Sequence, residues 1–184
     1  MNNPETLLPL SAHAAAFLRY WMELTAAGRL PLRAAVDERT QSVERKALWL
    51  YARTEQGRYE AAFLGGDVRR AWNLDDANAW PLEAIVGPAA DRVAARFDYC
   101  LRERRLTHSV SRTAEKPWIV AERLCGPVTD MAGVPRYIFG MTDYERYHML
   151  ESKGVPPLSS TFCETYDPIT RRYLGPLPDE LVEP

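Results

Sequence analysis

The sequence predicts an α+β domain with a five-stranded antiparallel sheet, entered through an amphipathic N-terminal helix. Three observations predict it. Two apolar runs at 47–54 and 58–64 flank Glu55-Gln56-Gly57 and read as a hairpin. A firm helical pattern runs from about 88 to 105. Three more strand patterns follow it, at 107–113, 118–128 and 136–142. A run of strands, then helices, then strands belongs to the α+β class.

Each element has its own warrant. Over 11–27, Ser11 is a plausible N-cap, and Ala14, Phe17, Leu18, Trp21, Leu24 and Thr25 fall on one helical face. Gly28 and Pro31 stop that helix. The polar connector to Lys46 holds one short helix around 34–45. Strand 47–54 is apolar on both faces. Gly57 supplies the turn. In 58–64, strict alternation places Tyr59, Ala61 and Phe63 on one side and Glu60, Ala62 and Leu64 on the other. Gly65-Gly66 ends the hairpin, as a bulge or where another segment approaches the backbone closely. Short helical turns are expected at 67–72 and 81–86, with a turn-rich stretch at 73–78 between them.

The long helix buries Val93, Phe97, Cys100 and Leu101. Asp91 near its start and Arg102, Arg104 and Arg105 near its end complement the helix dipole. In strand 118–128, Trp118, Val120 and Leu124 share one face, and Ile119, Ala121 and Cys125 the other. Asp130 to Gly133 is a hairpin turn, and 144–150 a short helix. Beyond Ser152, prolines at 156, 157, 168, 176, 178 and 184 predict an extended tail, mobile or draped on the domain. The organisation is an N-terminal helix and connector (1–45), a folded domain (46–150) and a proline-rich extension (151–184).

Composition sets the outer bounds. With 184 residues, 46% of them hydrophobic, the chain builds one sizeable core without disulfides or metal. A net charge of -2 and a pI near 6.0 lack the basic excess of nucleic-acid or membrane-surface proteins. Cys100, Cys125 and Cys163 form no CxxC pair, which suits a reducing cytoplasm. The N-terminus carries no signal-peptide pattern, and no apolar run approaches the roughly 20 residues that span a bilayer. The expected location is cytoplasmic.

The element order, with Arg19-Tyr20-Trp21, Gly28-Arg29-Leu30-Pro31, Phe63-Leu64-Gly65 and the strand end Pro127-Val128-Thr129-Asp130, resembles the PAS sensor fold. It is similar in particular to the short stand-alone PAS domains common in alphaproteobacteria. The resemblance covers roughly 12–145. The chain departs from that family between Asp37 and Lys46, where the family carries a more apolar segment, and it extends further at the C-terminus. The resemblance implies helices packed on one face of the sheet, with small molecules or partner proteins bound between sheet and helices. It also implies dimerisation through a flanking helix. With no output domain in the sequence, a signal leaves through a partner or a change of oligomer.

Candidate residues follow. A ligand cavity between sheet and long helix would be walled by Phe63, Trp72, Trp80, Ile85, Phe97, Val120 and Leu124; ordinary core packing is the competing reading of each. The apolar face of Phe17, Leu18, Trp21 and Leu24 packs either on its own sheet or on a second copy or signalling partner. His108 reads as a surface or strand-edge histidine rather than a haem ligand or pH sensor. PAS haem sensors carry their ligand histidine on the long helix, which has none here, and the reactive-cysteine motif of flavin photoreceptors is missing. No haem or flavin is therefore indicated, the cofactor is left open, and the scattered histidines make no zinc site. Cys100 reads as a small core residue. Ser109 and Ser111 alternate with His108 and point away from it, which disfavours a local serine–histidine nucleophile. The expected function is a non-enzymatic sensor or adaptor in signal transduction. The alternatives are a ligand-free protein-interaction module and, behind it, a small isomerase or hydratase on a cone-shaped α+β fold with Glu122 as its acid–base residue.

Overall fold

Ser11 accepts a hydrogen bond from the Ala14 amide at 3.0 Å and so opens α1 (Ala12–Leu24). A computed structural model of the chain describes residues 11–40, 46–74, 80–113, 119–144 and 158–182. Gly28, at φ +69°, turns the chain after α1 into α2 (Arg33–Thr40). Leu32 then forms a parallel bridge with Thr129, whose amide donates to the Pro31 carbonyl at 2.8 Å.

The hairpin is β1 (Leu48–Arg53) and β2 (Tyr59–Leu64), with Gly57 at φ +78° in its turn. Short helices α3 (Gly66–Ala71) and α4 (Leu82–Val86) flank a two-residue strand, β3 (Trp80–Pro81). A 3₁₀ turn over Gly87–Ala89 leads into α5 (Ala90–Glu103). Arg104 ends α5 in the left-handed region at φ 50°. Three strands follow as a meander: β4 (Leu106–Thr113), β5 (Ile119–Thr129) and β6 (Pro135–Asp143). Two more come from the proline-rich segment, β7 (Leu158–Tyr166) and β8 (Tyr173–Pro176).

All eight strands form one antiparallel sheet in the order β3-β2-β1-β6-β5-β4-β7-β8. The fold is α+β, as the sequence predicts. The strand count is eight rather than five. The residues read as an extended tail, mobile or draped on the domain, supply two of the extra strands: 158–166 pairs along the whole of β4, and 173–176 pairs with β7.

Helices cover both faces of the sheet, not one. On the first face, α1 lays Phe17, Tyr20 and Trp21 over Leu50, Phe139 and Leu124. On the second, α3, α4 and α5 cover Trp49, Tyr51, Ile138 and Cys125. Successive residues point to opposite sides of a strand, so Leu48 and Leu50 serve the first core and Trp49 and Tyr51 the second.

Two tryptophans need glycine beneath them. A Cβ on Gly126 would lie 2.4 Å from the Trp21 ring, and one on Gly140 would lie 2.5 Å from the Trp49 ring. Trp21 is held from above as well: its indole N–H donates to the Pro168 carbonyl at 2.7 Å, tying α1 to the β7–β8 turn. Trp49 donates to Thr142 Oγ1 at 2.9 Å. Of the helix expected over 144–150 only Tyr144 is among the described residues; residues 75–79, Trp118 and His148 lie outside them.

Candidate functional site

A cavity of about 620 Å³ opens between the second face of the sheet and the helices that cover it. That volume falls in the range of small-molecule sites, roughly 300–1,000 Å³. Val68 and Trp72 close it from the α3 side, Leu82 and Ile85 from α4, and Val93, Arg96 and Phe97 from α5. The sheet contributes Trp49, Tyr51, Thr107, Ser109, Arg123 and Cys125, with Thr142 and Tyr144 beyond them.

One half of the cavity is aromatic. The Phe97 ring lies 5.8 Å from Trp49, 5.4 Å from Tyr51 and 5.2 Å from Tyr59, centroid to centroid. Such tilted and edge-on pairs add to the stability gained from burial alone. Tyr59 donates to Asp98 Oδ1 at 2.7 Å, and Arg53 Nε reaches the same oxygen at 2.8 Å, so α5 is pinned to the hairpin. Trp72 donates its indole N–H to the Tyr144 hydroxyl at 3.0 Å across the mouth of α3.

The other half is polar and cationic. Arg123 lies at the centre of β5 and donates to Ser111 Oγ at 2.6 Å. Arg96 is buried on α5 and donates to the Leu181 carbonyl at 3.3 Å. Arg92 joins them, and no Asp or Glu is among the described residues that line the cavity. Burial pushes the Tyr51 phenol well above its ordinary value and Tyr144 adds to this, while Arg123 opposes them; Tyr51 is therefore a neutral hydroxyl. Cys125 lies against Thr107, with Sγ 3.0 Å from Oγ1. The neighbouring Cys100 thiol, then Thr107 and the Arg96 and Arg123 guanidiniums, hold Cys125 below the usual thiol range against the effect of burial, while Cys125 and burial raise Cys100 well above it.

Of the residues expected to wall the cavity, Trp72, Ile85 and Phe97 do so. Phe63 and Leu124 belong to the opposite core, under α1. The reason for Phe63 is a β-bulge: Leu50 pairs with Phe63 while Tyr51 pairs with Ala61, so Ala62 is an extra residue and the alternation reverses across it. Leu124 sits on the face of β5 opposite Arg123 and Cys125, so the cavity lies on the other side of that strand from the one expected. Trp80 packs against the second core without lining the cavity. The Val120 side chain lies outside the described residues. Sequence reading missed Arg96, Arg123, Thr107 and Ser109. Their one sequence signal was the small and polar side of β4, where Thr107, Ser109 and Ser111 recur at every second position.

The face of α1 given to a partner is spent at home. Phe17 and Trp21 are buried in the chain's own core, and Leu18 and Leu24 pack partly against it. Met22, on the other side of α1, is exposed.

His108 is buried, not at a surface or edge, because β7 covers the side of β4 that would otherwise be open. Its Nε2 lies 2.7 Å from Glu122 Oε1. Glu122 faces Asp143 across β5 and β6, and Asp143 Oδ2 lies 3.4 Å from His13 Nδ1. These histidine–carboxylate pairs lie on the α1 face. Glu122 therefore does not enter the cavity. Among the described residues no group of His, Cys, Asp and Glu is arranged to hold a metal ion, and no helix is long and apolar enough to cross a membrane. Compared with known proteins, the chain matches no family model, no curated protein and no solved structure.

Proposed function

We propose that this chain is a PAS-type sensor or adaptor of cytoplasmic signal transduction that binds a small organic molecule. The observation that carries this reading is the cavity of about 620 Å³ between the sheet and α3–α5, where the resemblance implies a ligand. In this reading the contiguous strands β2, β1, β6, β5 and β4 are the PAS sheet, and α1, β7 and β8 are additions to it.

A route out of the cavity supports the sensor role. Arg96 lines the cavity and grips the carbonyl of Leu181, in the 3₁₀ turn Asp179–Leu181. The same C-terminal segment holds α1 through Pro168 and Trp21. A ligand that favours one position of Arg96 shifts the population of the C-terminal segment, and with it the seating of α1. A homodimer partner or a signalling protein reads that change. The enzyme alternative loses its acid–base residue from the cavity, since Glu122 faces the other way.

Native mass spectrometry of the purified chain, set against its denatured mass, tests the reading. The expected result is added mass on the folded protein that disappears on denaturation. The sequence mass of 20.9 kDa in both states, in protein purified at low ionic strength without organic additives, would move the assignment to a ligand-free interaction module.

A further inference from the structure

We infer that the cavity binds an amphipathic organic anion: a carboxylate held at Arg123, on an aromatic or aliphatic body laid against Trp49, Tyr51 and Phe97. This rests on the reading of the cavity as a ligand site and names the class of ligand.

A guanidinium stays charged at every pH a folded protein survives. Removing such a charge from water is costly unless an opposite charge compensates it. Arg123 is half-buried on a cavity wall, and its hydrogen bond goes to a neutral hydroxyl, Ser111 Oγ, at 2.6 Å. Among the described residues no carboxylate pairs with it, and none lines the cavity. Arg96 and Arg92 on α5 add two further positive charges to the lining. Among the described residues nothing supplies the counter-charge, and in this inference the ligand brings it.

The neighbours of Arg123 suit a carboxylate. Ser109 and Thr107 present hydroxyls from β4, one strand away, and Thr142 presents one from β6 on the other side. Planar guanidinium and planar carboxylate pair through two parallel hydrogen bonds, a geometry that a free ammonium does not offer. Beside this end the wall is apolar: Ile85 and Val93 join the Trp49, Tyr51 and Phe97 rings, and Trp49 itself donates to Thr142. An inorganic anion would leave that wall unused, and a neutral ligand would leave Arg123 uncompensated.

The test is isothermal titration of the full chain with 3-phenylpropionate, with its amide and with inorganic phosphate. The expected result is that the carboxylate binds at least about tenfold tighter than the amide, a difference of one decade in Kd. Arg123→Gln should abolish that preference, with an unchanged circular dichroism spectrum and a cooperative thermal melt showing that the variant is folded. Arg123→Lys should keep part of the preference. If Arg123→Gln does not fold, the wild-type comparison and Arg123→Lys decide. Equal binding of carboxylate and amide by the wild type would overturn the anion assignment and leave the cavity reading standing. Phosphate binding as tightly as phenylpropionate would overturn the amphipathic assignment. Saturation by none of the three at millimolar concentration would overturn both this inference and the reading of the cavity as a ligand site.

Discussion

Single residues set how closely the layers approach. Gly126 lets the Trp21 ring lie on β5, and a methyl group there would meet ring carbons at 2.4 and 2.7 Å. Overpacking of this kind costs about 1–3 kcal/mol. Gly126→Ala is therefore expected to lower the unfolding free energy by that amount, seen as a lower urea midpoint, and to loosen α1, read as faster amide exchange in Ala12–Leu24 than in β5. An unchanged midpoint would mean that Trp21 finds another seat. At this scale Trp72, Ile85 and Phe97 of the aromatic half were legible as large apolar residues at periodic positions, while Trp49 and Tyr51, on a strand that is apolar on both faces, were not assigned to the cavity. Its cationic half was not. Arg96 and Arg123 are single charges in amphipathic elements, and such charges usually face solvent. Only the strand pairing shows that the arginine side of β5 faces the helices.

Elements were read well wherever their signal is local. Ser11 and Gly28 bracket α1, Gly57 and Gly133 mark the hairpin turns, and α5 carries a buried face of Phe97, Cys100 and Leu101. What the sequence concealed is pairing between distant segments. The bulge at Ala62 reverses Phe63, and strict alternation contains no sign of it. The C-terminal strands were hidden by their prolines, which belong to the turn and strand ends around Tyr166 and Pro176 rather than to an extended tail. β7 makes β4 an inner strand and buries His108 beside Glu122. Deleting residues 158–184 should therefore expose the β4 edge and that buried pair together. The expected outcome is a chain that aggregates or lacks a cooperative thermal transition by circular dichroism. A truncated chain that melts cooperatively at the full-length temperature would show the segment to be an accessory.

At the scale of the whole molecule, two cores back to back on one sheet give the chain a marked response to alkaline pH. Burial raises the Tyr51 phenol well above its ordinary value; burial and then the bond to Asp98 raise Tyr59, and burial and then Glu164 raise Tyr166. A raised pKa in the folded state means that the neutral phenols stabilise the fold fully below the unfolded value, about 10. That contribution is lost as pH climbs above it. Stability to urea should accordingly hold steady through neutral pH and fall beyond about pH 10. Part of the tyrosinate absorbance should appear only with unfolding. Smooth titration of all nine tyrosines in a folded chain would contradict this.

The central claim, that the space between the sheet and α3–α5 is a ligand site, is tested most directly by amide and methyl NMR of the labelled chain during titration with a library of small aromatic acids and amides. The account predicts shift changes that cluster on Ile85 and Phe97 of the helices and on Ser109, Arg123, Cys125 and Thr142 of the sheet. Shifts confined to the exposed Met22 of α1 and the Met131 hairpin tip, or no saturable shifts with any compound, would contradict it.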